Sequence, residues 1–577
     1  MLQIILVLCL FIALVIPIGR YLYHIADNKK TFADPVFNPI DNFIFRICGI
    51  KKEDMNWRQY ALALIATNSV MILIGYIILR IQNVPIFNPN NIESMEPSLS
   101  FNTIISFMTN TNLQHYSGES GLSYLSQMAV IIFMMFLAAA SGYAVCMAFI
   151  RGIAGKKSLG NFFVDVVRVT TRVLIPLSLI VGILLVGQGV PQNLSANKTV
   201  ETIEGKYQDI AMGPIAALES IKHIGTNGGG FLGANSSTPL ENPTVVSNII
   251  ELLSMMVLPG ACIIVFALMV YYRKKEEDIG SNKNKNNVLF GGEGRTIFVA
   301  MSILFLIGLT VCYLAEKAGN PELAEVGLSQ AMGSMGSMEG KEVRFGIAQS
   351  SLFTTVTTSF TTGTVNNMHD TLTPLGGMVA LLNMMLNVVF GGKGVGVMNM
   401  VLYAIIAVFI CGLMIGRTPE YLGKKIEGKE MKLAAMCIIL HPLLILAFSA
   451  LAVSVSAGVD GISNPGFHGL TQVLYEFASS AANNGSGFEG LADNSYFWNI
   501  TTGIVMFVGR YITIIIQLAI AESLMAKRRV NESIGTLRTN TFGFSLTLVM
   551  VVLIFSALTF FPVLSLGPIA EHLTLWR

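Results

Sequence analysis

Long apolar runs separated by short polar stretches fill most of this 577-residue chain. Runs of spanning length lie at about 2–22, 59–80, 127–150, 172–190, 246–272, 296–316, 374–416, 434–457, 497–521 and 541–562. About 20 apolar residues suffice for a membrane-crossing helix. The pattern therefore predicts an all-α polytopic membrane protein of about ten transmembrane helices. The first run has no Lys or Arg before it and no small-x-small cleavage pattern after it. It is expected to remain as a helix.

Four of the stretches between spans share a second pattern. An apolar segment too short to cross is followed by a polar run and then a spanning helix. The short segments are Phe101–Met108, Pro214–Ile224, Ile347–Phe360 and Thr471–Ala481. Their polar runs are Thr109-Asn110-Thr111-Asn112, Thr226-Asn227-Gly228-Gly229-Gly230, Thr361-Thr362-Gly363-Thr364 and Asn483-Asn484-Gly485-Ser486-Gly487. NGGGFLGAN (227–235) also matches NGSGFEGLADN (484–494). One such run reads equally well as a polar outer turn. Four at matched positions read as four span–short helix–loop–span repeats.

A short helix that stops inside a membrane leaves its last carbonyls unpaired, with the negative dipole end at the stop. Non-helical backbone at that depth needs protein or a water-filled cavity around it. Glycine permits the dihedrals that aim consecutive carbonyls at one axis. Four such loops about a pseudo-fourfold axis would form a ring of oxygens able to replace an ion's hydration shell. None of the four runs contains an acid, which favours a monovalent ion over Ca²⁺ or Mg²⁺.

Two spans carry unusual residues. The run 374–416 is too long for one straight crossing, and in its middle stand Gly391-Gly392-Lys393-Gly394-Val395-Gly396. It is expected to be broken by an intramembrane loop just below the polar ring, acting as a gate or diversion. Arg510 lies near the middle of the ninth span, where a charge normally faces protein or water. It could brace carbonyls or stop ions passing straight through. Arg20, Arg80 and Arg172 sit near span ends and are expected to snorkel.

Charge sets the orientation. The segments 23–58, 151–171, 273–295, 417–433 and 522–540 hold 25 of the 37 basic residues, and the alternating segments with the tail after 562 hold 7. The first set is cytoplasmic by the positive-inside rule, which puts both termini outside. With 14 acids inside and 18 outside, the inner segments carry +11 and the outer ones −11, although the chain as a whole carries only +2. An acidic outer face would concentrate cations.

Only 12% of residues are charged and 53% are hydrophobic, which disfavours a soluble enzyme, a nucleic-acid binder and a disordered chain. The seven cysteines form no CxxC pair and are read as small hydrophobes. The seven histidines are never closer than 27 residues, so helical metal-ligand pairs are excluded. Gly228-x-Gly230-x-x-Gly233 spells a dinucleotide fingerprint but lacks a βαβ context, and no phosphate-binding loop occurs. No catalytic constellation and no ATP site are expected in this chain.

Seven motifs together carry a resemblance: TNTNLQHYSGE (109–119), GTNGGGFLGANS (225–236), VNNMHDTLTPLGG (365–377), VFGGKGVG (389–396), GRTPEYLGKKI (416–426), SSAANNGSGFEGL (479–491) and FVGRY (507–511). Over essentially its full length the chain resembles the family of potassium-binding A subunits (KdpA) of the bacterial Kdp potassium-transporting ATPases. The resemblance implies a fold of the potassium-transporter superfamily, with four repeats and two extra helices. The expected divisions are 1–58 (extra N-terminal span and cytoplasmic loop), 59–171, 172–295, 296–433 and 434–540 (repeats one to four), and 541–577 (extra C-terminal span and tail). It implies a complex in the bacterial inner membrane with a P-type ATPase subunit (KdpB), a single-span subunit (KdpC) and a small helical peptide (KdpF). Potassium (K⁺) would enter through a filter formed by carbonyls of Asn110, Thr111, Asn112, Thr226, Asn227, Gly228, Thr361, Thr362, Gly363, Asn483, Asn484 and Gly485, and ATP hydrolysis in the partner would drive uptake. Arg510 matches the family's arginine below the filter. Gly391, Gly392, Lys393, Gly394, Gly396 and Arg510 are the expected gate or charge barrier. The alternative is a stand-alone potassium channel or ion-gradient-coupled transporter of the same superfamily.

Overall fold

The computed structural model describes residues 2–277, 292–321, 336–416, 418–530 and 537–576. Among residues counted in the charge analysis, Asp278, Lys283, Lys285, Glu322, Glu325, Arg417, Glu532 and Arg577 lie outside that range.

Among the described residues, ten helices are long and apolar enough to cross a membrane. The chain runs through α1 (Leu2–Ala26), α2 (Asp34–Ile47), α3 (Trp57–Arg80), α4 (Pro97–Met108), α5 (Tyr124–Ala154) and α6 (Phe162–Gln188). Next come α7 (Ile215–Ile224), α8 (Val245–Glu277), α9 (Glu293–Ala318), α10 (Gly346–Ser359), α11 (Pro374–Leu386) and α12 (Val395–Ile415). Finally come α13 (Gly428–Ser454), α14 (Phe467–Ala482), α15 (Tyr496–Met525), α16 (Phe542–Leu566) and α17 (Pro568–Leu575). The expected all-α polytopic architecture is present, and each short apolar segment is a short helix: α4, α7, α10 and α14.

Three sequence expectations need correction. The fourth span begins at Phe162, ten residues before the expected start, because its charges are neutralised sideways. Arg151 grips Asp165 with both guanidinium nitrogens, at 2.7 and 2.9 Å. Arg172 does not snorkel. It is buried and reaches Asp34 and Asp41 of α2 at 2.7 and 2.6 Å. Second, two small antiparallel hairpins exist, Lys198–Glu201 with Tyr207–Ile210 and Glu420–Tyr421 with Lys424–Lys425. Third, Cys9 and Cys48 are exposed, whereas Cys146, Cys262, Cys312 and Cys437 are buried as small apolar groups.

Helices α5 and α8 are buried over most of their length, while α1, α3, α13 and α16 bury less than a third of theirs. Helix α5 packs against the short helices α4 and α7, and α8 against α7 and α10. Exposed apolar residues on the outer helices, such as Leu73, Leu443 and Leu558, face the apolar solvent that the sequence pattern implies.

Candidate functional site

Each short helix ends where its polar run begins, and each run turns through the left-handed region twice, at alternate residues. The pairs are Asn110 and Asn112 (φ 58° and 61°), Thr226 and Gly228 (48° and 117°), Thr361 and Gly363 (50° and 99°), and Asn483 and Gly485 (55° and 104°). Five of these eight are not glycine, and such residues seldom adopt these angles, so their matched positions define one repeated backbone. Tethers inside each repeat hold it. The amide of the middle residue donates to a carbonyl five positions back: Thr111 to Ser106 (2.9 Å), Asn227 to Lys222 (2.8 Å), Thr362 to Thr357 (2.9 Å) and Asn484 to Ser479 (2.9 Å). In repeats three and four the next amide donates to the hydroxyl of the same residue, at 3.0 Å. In repeats one, three and four a Ser or Thr five positions before the middle residue is the sequence signal of this tether; repeat two has Lys222 there.

The loops close into a ring. Asn110 Nδ2 donates to the Thr226 carbonyl (2.9 Å) and Asn227 Nδ2 to Asn110 Oδ1 (2.7 Å), joining repeats one and two. Asn483 Nδ2 donates to Thr111 Oγ1 (2.9 Å), joining four and one. Gly228 packs so closely that a Cβ would strike the Thr362 carbonyl oxygen, and a Cβ on Gly363 would strike that of Asn484. These contacts join two to three and three to four. All twelve residues expected to line the ring are in it and buried or nearly so.

Behind repeat two lies a charged cluster that sequence reasoning missed. Lys222, fully buried, contacts Glu219 (2.6 Å), Glu241 (2.9 Å), Asn235 Oδ1 (2.7 Å) and Ser236 Oγ (3.1 Å). Asn235 Nδ2 in turn donates to the Gly228 carbonyl at 3.0 Å. The lysine thus braces the loop from outside the ring.

Below the ring the seventh crossing is broken, as its glycine run predicted. Helix α11 stops at Leu386 and α12 begins at Val395, with Asn387, Phe390 and Lys393 all at positive φ between. Gly391 accepts from the amide of Gly396 at 3.3 Å. A Cβ on Gly392 would lie 2.6 Å from Thr226 Oγ1, and one on Gly394 would strike Cys146 Sγ. The glycines let this loop sit directly against the ring. Lys393, fully buried, donates its ammonium to the carbonyls of Asn110 (2.7 Å) and Asn483 (3.0 Å). Arg510 of α15 is beside it: a Cβ on Gly142 would lie 2.7 Å from both Arg510 Nη2 and Lys393 Cβ. A cavity of about 70 Å³ opens on this side, lined by Asn387, Asn399, His441, Asn483, Arg510 and Gln517 among others. That is room for several waters.

Two histidine-centred clusters join segments distant in the sequence. His115 contacts Glu476 and Asp493. His468 contacts Asp370 at 3.1 Å and Glu571 at 2.8 Å. Burial disfavours the charge on His468, but hydrogen bonds to Asp370 and Glu571 outweigh it and hold the imidazolium up to about 9.

A family model described as KdpA, potassium-transporting ATPase A subunit, matches residues 5–573. The chain belongs to this family. It is 60% identical over 575 residues to the potassium-transporting ATPase potassium-binding subunit of Clostridium acetobutylicum, covering 100% of each chain. It is 54% identical to the subunit of the same name from Geobacillus kaustophilus, covering 99% of this chain and 98% of that one. Among solved structures, the potassium transporter TrkH from Vibrio parahaemolyticus matches 87% of this chain and 96% of its own, with TM-score 0.51 and 14% identity. At that identity the likeness establishes fold alone.

Proposed function

We propose that this chain is the potassium-binding and translocating subunit of an ATP-driven, high-affinity potassium uptake complex. Potassium from outside loses its hydration shell to the carbonyls of the four-loop ring and then leaves sideways toward an ATPase subunit. The observation that carries this reading is the Lys393 ammonium, held by carbonyls of two different repeats at the inner end of the ring. A primary ammonium is a monovalent cation whose donors seek oxygens, so oxygens that accept it can also ligate a monovalent metal ion. Tethered there, it blocks a straight path inward. The polar cavity beside Arg510 offers the space for a lateral one.

On this reading Lys393, Arg510 and the glycines 391, 392, 394 and 396 form the gate. The chain holds no catalytic or ATP site. It is a multi-pass inner-membrane protein with both termini outside and works with P-type ATPase (KdpB), single-span (KdpC) and small peptide (KdpF) subunits. The repeat boundaries are those expected from the sequence.

The test compares the purified chain with the assembled complex. The chain alone hydrolyses no ATP, while the complex hydrolyses ATP in response to potassium. Potassium uptake by this chain alone in transport-deficient cells would overturn the proposal in favour of a stand-alone channel or carrier.

A further inference from the structure

The spacing of histidines along the chain excludes helical metal-ligand pairs, but folding assembles ligands from distant segments. His115 lies three residues beyond the ring residue Asn112, Glu476 lies on α14, and Asp493 follows the fourth loop. One ligand atom from each falls within 4.8 Å of the others. His115 Nδ1 is 2.7 Å from Asn499 Oδ1. The orientation of that amide is set by its Nδ2, which donates to Ser98 Oγ (3.1 Å) and Asn494 Oδ1 (3.4 Å). Nδ1 therefore carries a hydrogen, and Nε2 is left to face Glu476 Oε1 at 3.1 Å and Asp493 Oδ2 at 3.8 Å.

We propose that His115, Glu476 and Asp493 form a binding site for a divalent transition-metal cation of the Zn²⁺ type at the outer rim, bridging repeats one and four. Ligands about 2.1 Å from a tetrahedral zinc stand about 3.4 Å apart, and the two measured separations bracket that value. A metal-bound imidazole usually donates its far N–H to an oxygen acceptor, and Asn499 Oδ1 fills that place here. Three protein ligands leave a fourth position for water. The imidazole and the small ligand number select against Ca²⁺ and Mg²⁺, which take six or more oxygens. Access is from outside: the Asp493 side chain is 26% exposed, whereas His115 and Glu476 are buried. Two carboxylates converging on one imidazole gain from any cation between them. The site is independent of how potassium crosses the ring.

The test is titration of chelator-stripped assembled complex with Zn²⁺ by calorimetry and with Co²⁺ by visible absorption. The complex is expected to bind an equivalent of Zn²⁺ that His115→Ala and Asp493→Asn each lose, and to give the intense visible band of tetrahedral Co²⁺. Asn499→Ala, which frees the ring without removing a ligand, weakens binding by about tenfold or more. His468→Ala, at the other rim cluster, leaves it unchanged. If His115→Ala does not assemble, the partly exposed position 493 decides: Asp493→Asn loses the metal and Asp493→His regains it. Equal stoichiometry and affinity in the wild type and Asp493→Asn would overturn the site, since the three groups would then be only a proton-bridged cluster.

Discussion

Lys393 shows how a single side chain can contradict the chemistry of its surroundings. A fully buried ammonium is tolerable only if oxygens surround it, and here carbonyls of Asn110 and Asn483 do so. Lys393→Met keeps the bulk and removes the charge, so the innermost oxygens become free for a passing ion. The expected outcome is rubidium flux through reconstituted complex without ATP. Flux no higher than in the wild type, together with unchanged potassium affinity, would rule out the gate. The ring is equally sensitive from the other side. At Gly228 φ is +117° and a Cβ would strike the Thr362 carbonyl, a strain of about 1–3 kcal/mol. Gly228→Asp and Gly363→Asp should each weaken potassium affinity at least about tenfold without preventing assembly. Gly187→Ala, which enters open space, should not change it. The ring residues were legible in sequence because Gly, Asn and Thr recur at matched positions. Lys222 was not, since an isolated lysine in a short apolar helix says nothing of Glu241, which reaches it from beyond the loop.

Helices were legible wherever apolarity alone decides them. The break between α11 and α12 was readable because four glycines within six residues do not persist as helix. The early start of α6 was not, because Asp165 and Arg172 look like membrane-interface residues until Arg151 and Asp41 arrive from elsewhere in the chain. The hairpin 198–210 lacks an alternating apolar face and has no sequence signature to find. Helix α17 illustrates what such distant pairings control. Glu571 in its first turn is tied to His468, which is also tied to Asp370. The folded imidazole titrates at about 9, above its unfolded value of about 6.5. The contribution of this clamp is therefore complete below about 6.5. It fades as pH rises through about 9. Allowing for solvent screening, roughly 1–2 kcal/mol is at stake. Hydrogen exchange corrected for intrinsic rate should show α17 amides opening more readily at pH 10 than at pH 6. His468→Gln should be equally open at both. A pH-independent α17 in the wild type would refute the clamp.

Across the whole molecule, the −11 of the outer segments first suggests a surface field that gathers cations. The structure buries four of those acids among the described residues. Glu219, Glu241 and Glu476 are buried in the wall behind the loops, and Asp370 is nearly so. Glu316, at a span edge, is buried against Lys341 at 2.7 Å. More of the outer acids, such as Glu93, Glu96, Glu201, Glu204 and Asp209, remain exposed. Exposed charges are screened over about 10 Å at 0.1 M salt, while buried ones are screened much less. If outer acids acted mainly by long-range attraction, apparent potassium affinity would fall steeply as an impermeant salt is added. The burial of Glu219, Glu241 and Glu476 beside the loops predicts otherwise. Between low salt and about 0.3 M of a large organic cation salt, the potassium concentration for half-maximal ATPase activity of the complex should rise by less than about threefold. Replacing Glu93, Glu96 and Glu201 together by Gln should shift it by no more than that. A change of an order of magnitude in either experiment would return the acids to the role of an external funnel. A shallow response leaves them as wall charges that hold the loops in place, with selection of potassium resting on the carbonyl ring itself.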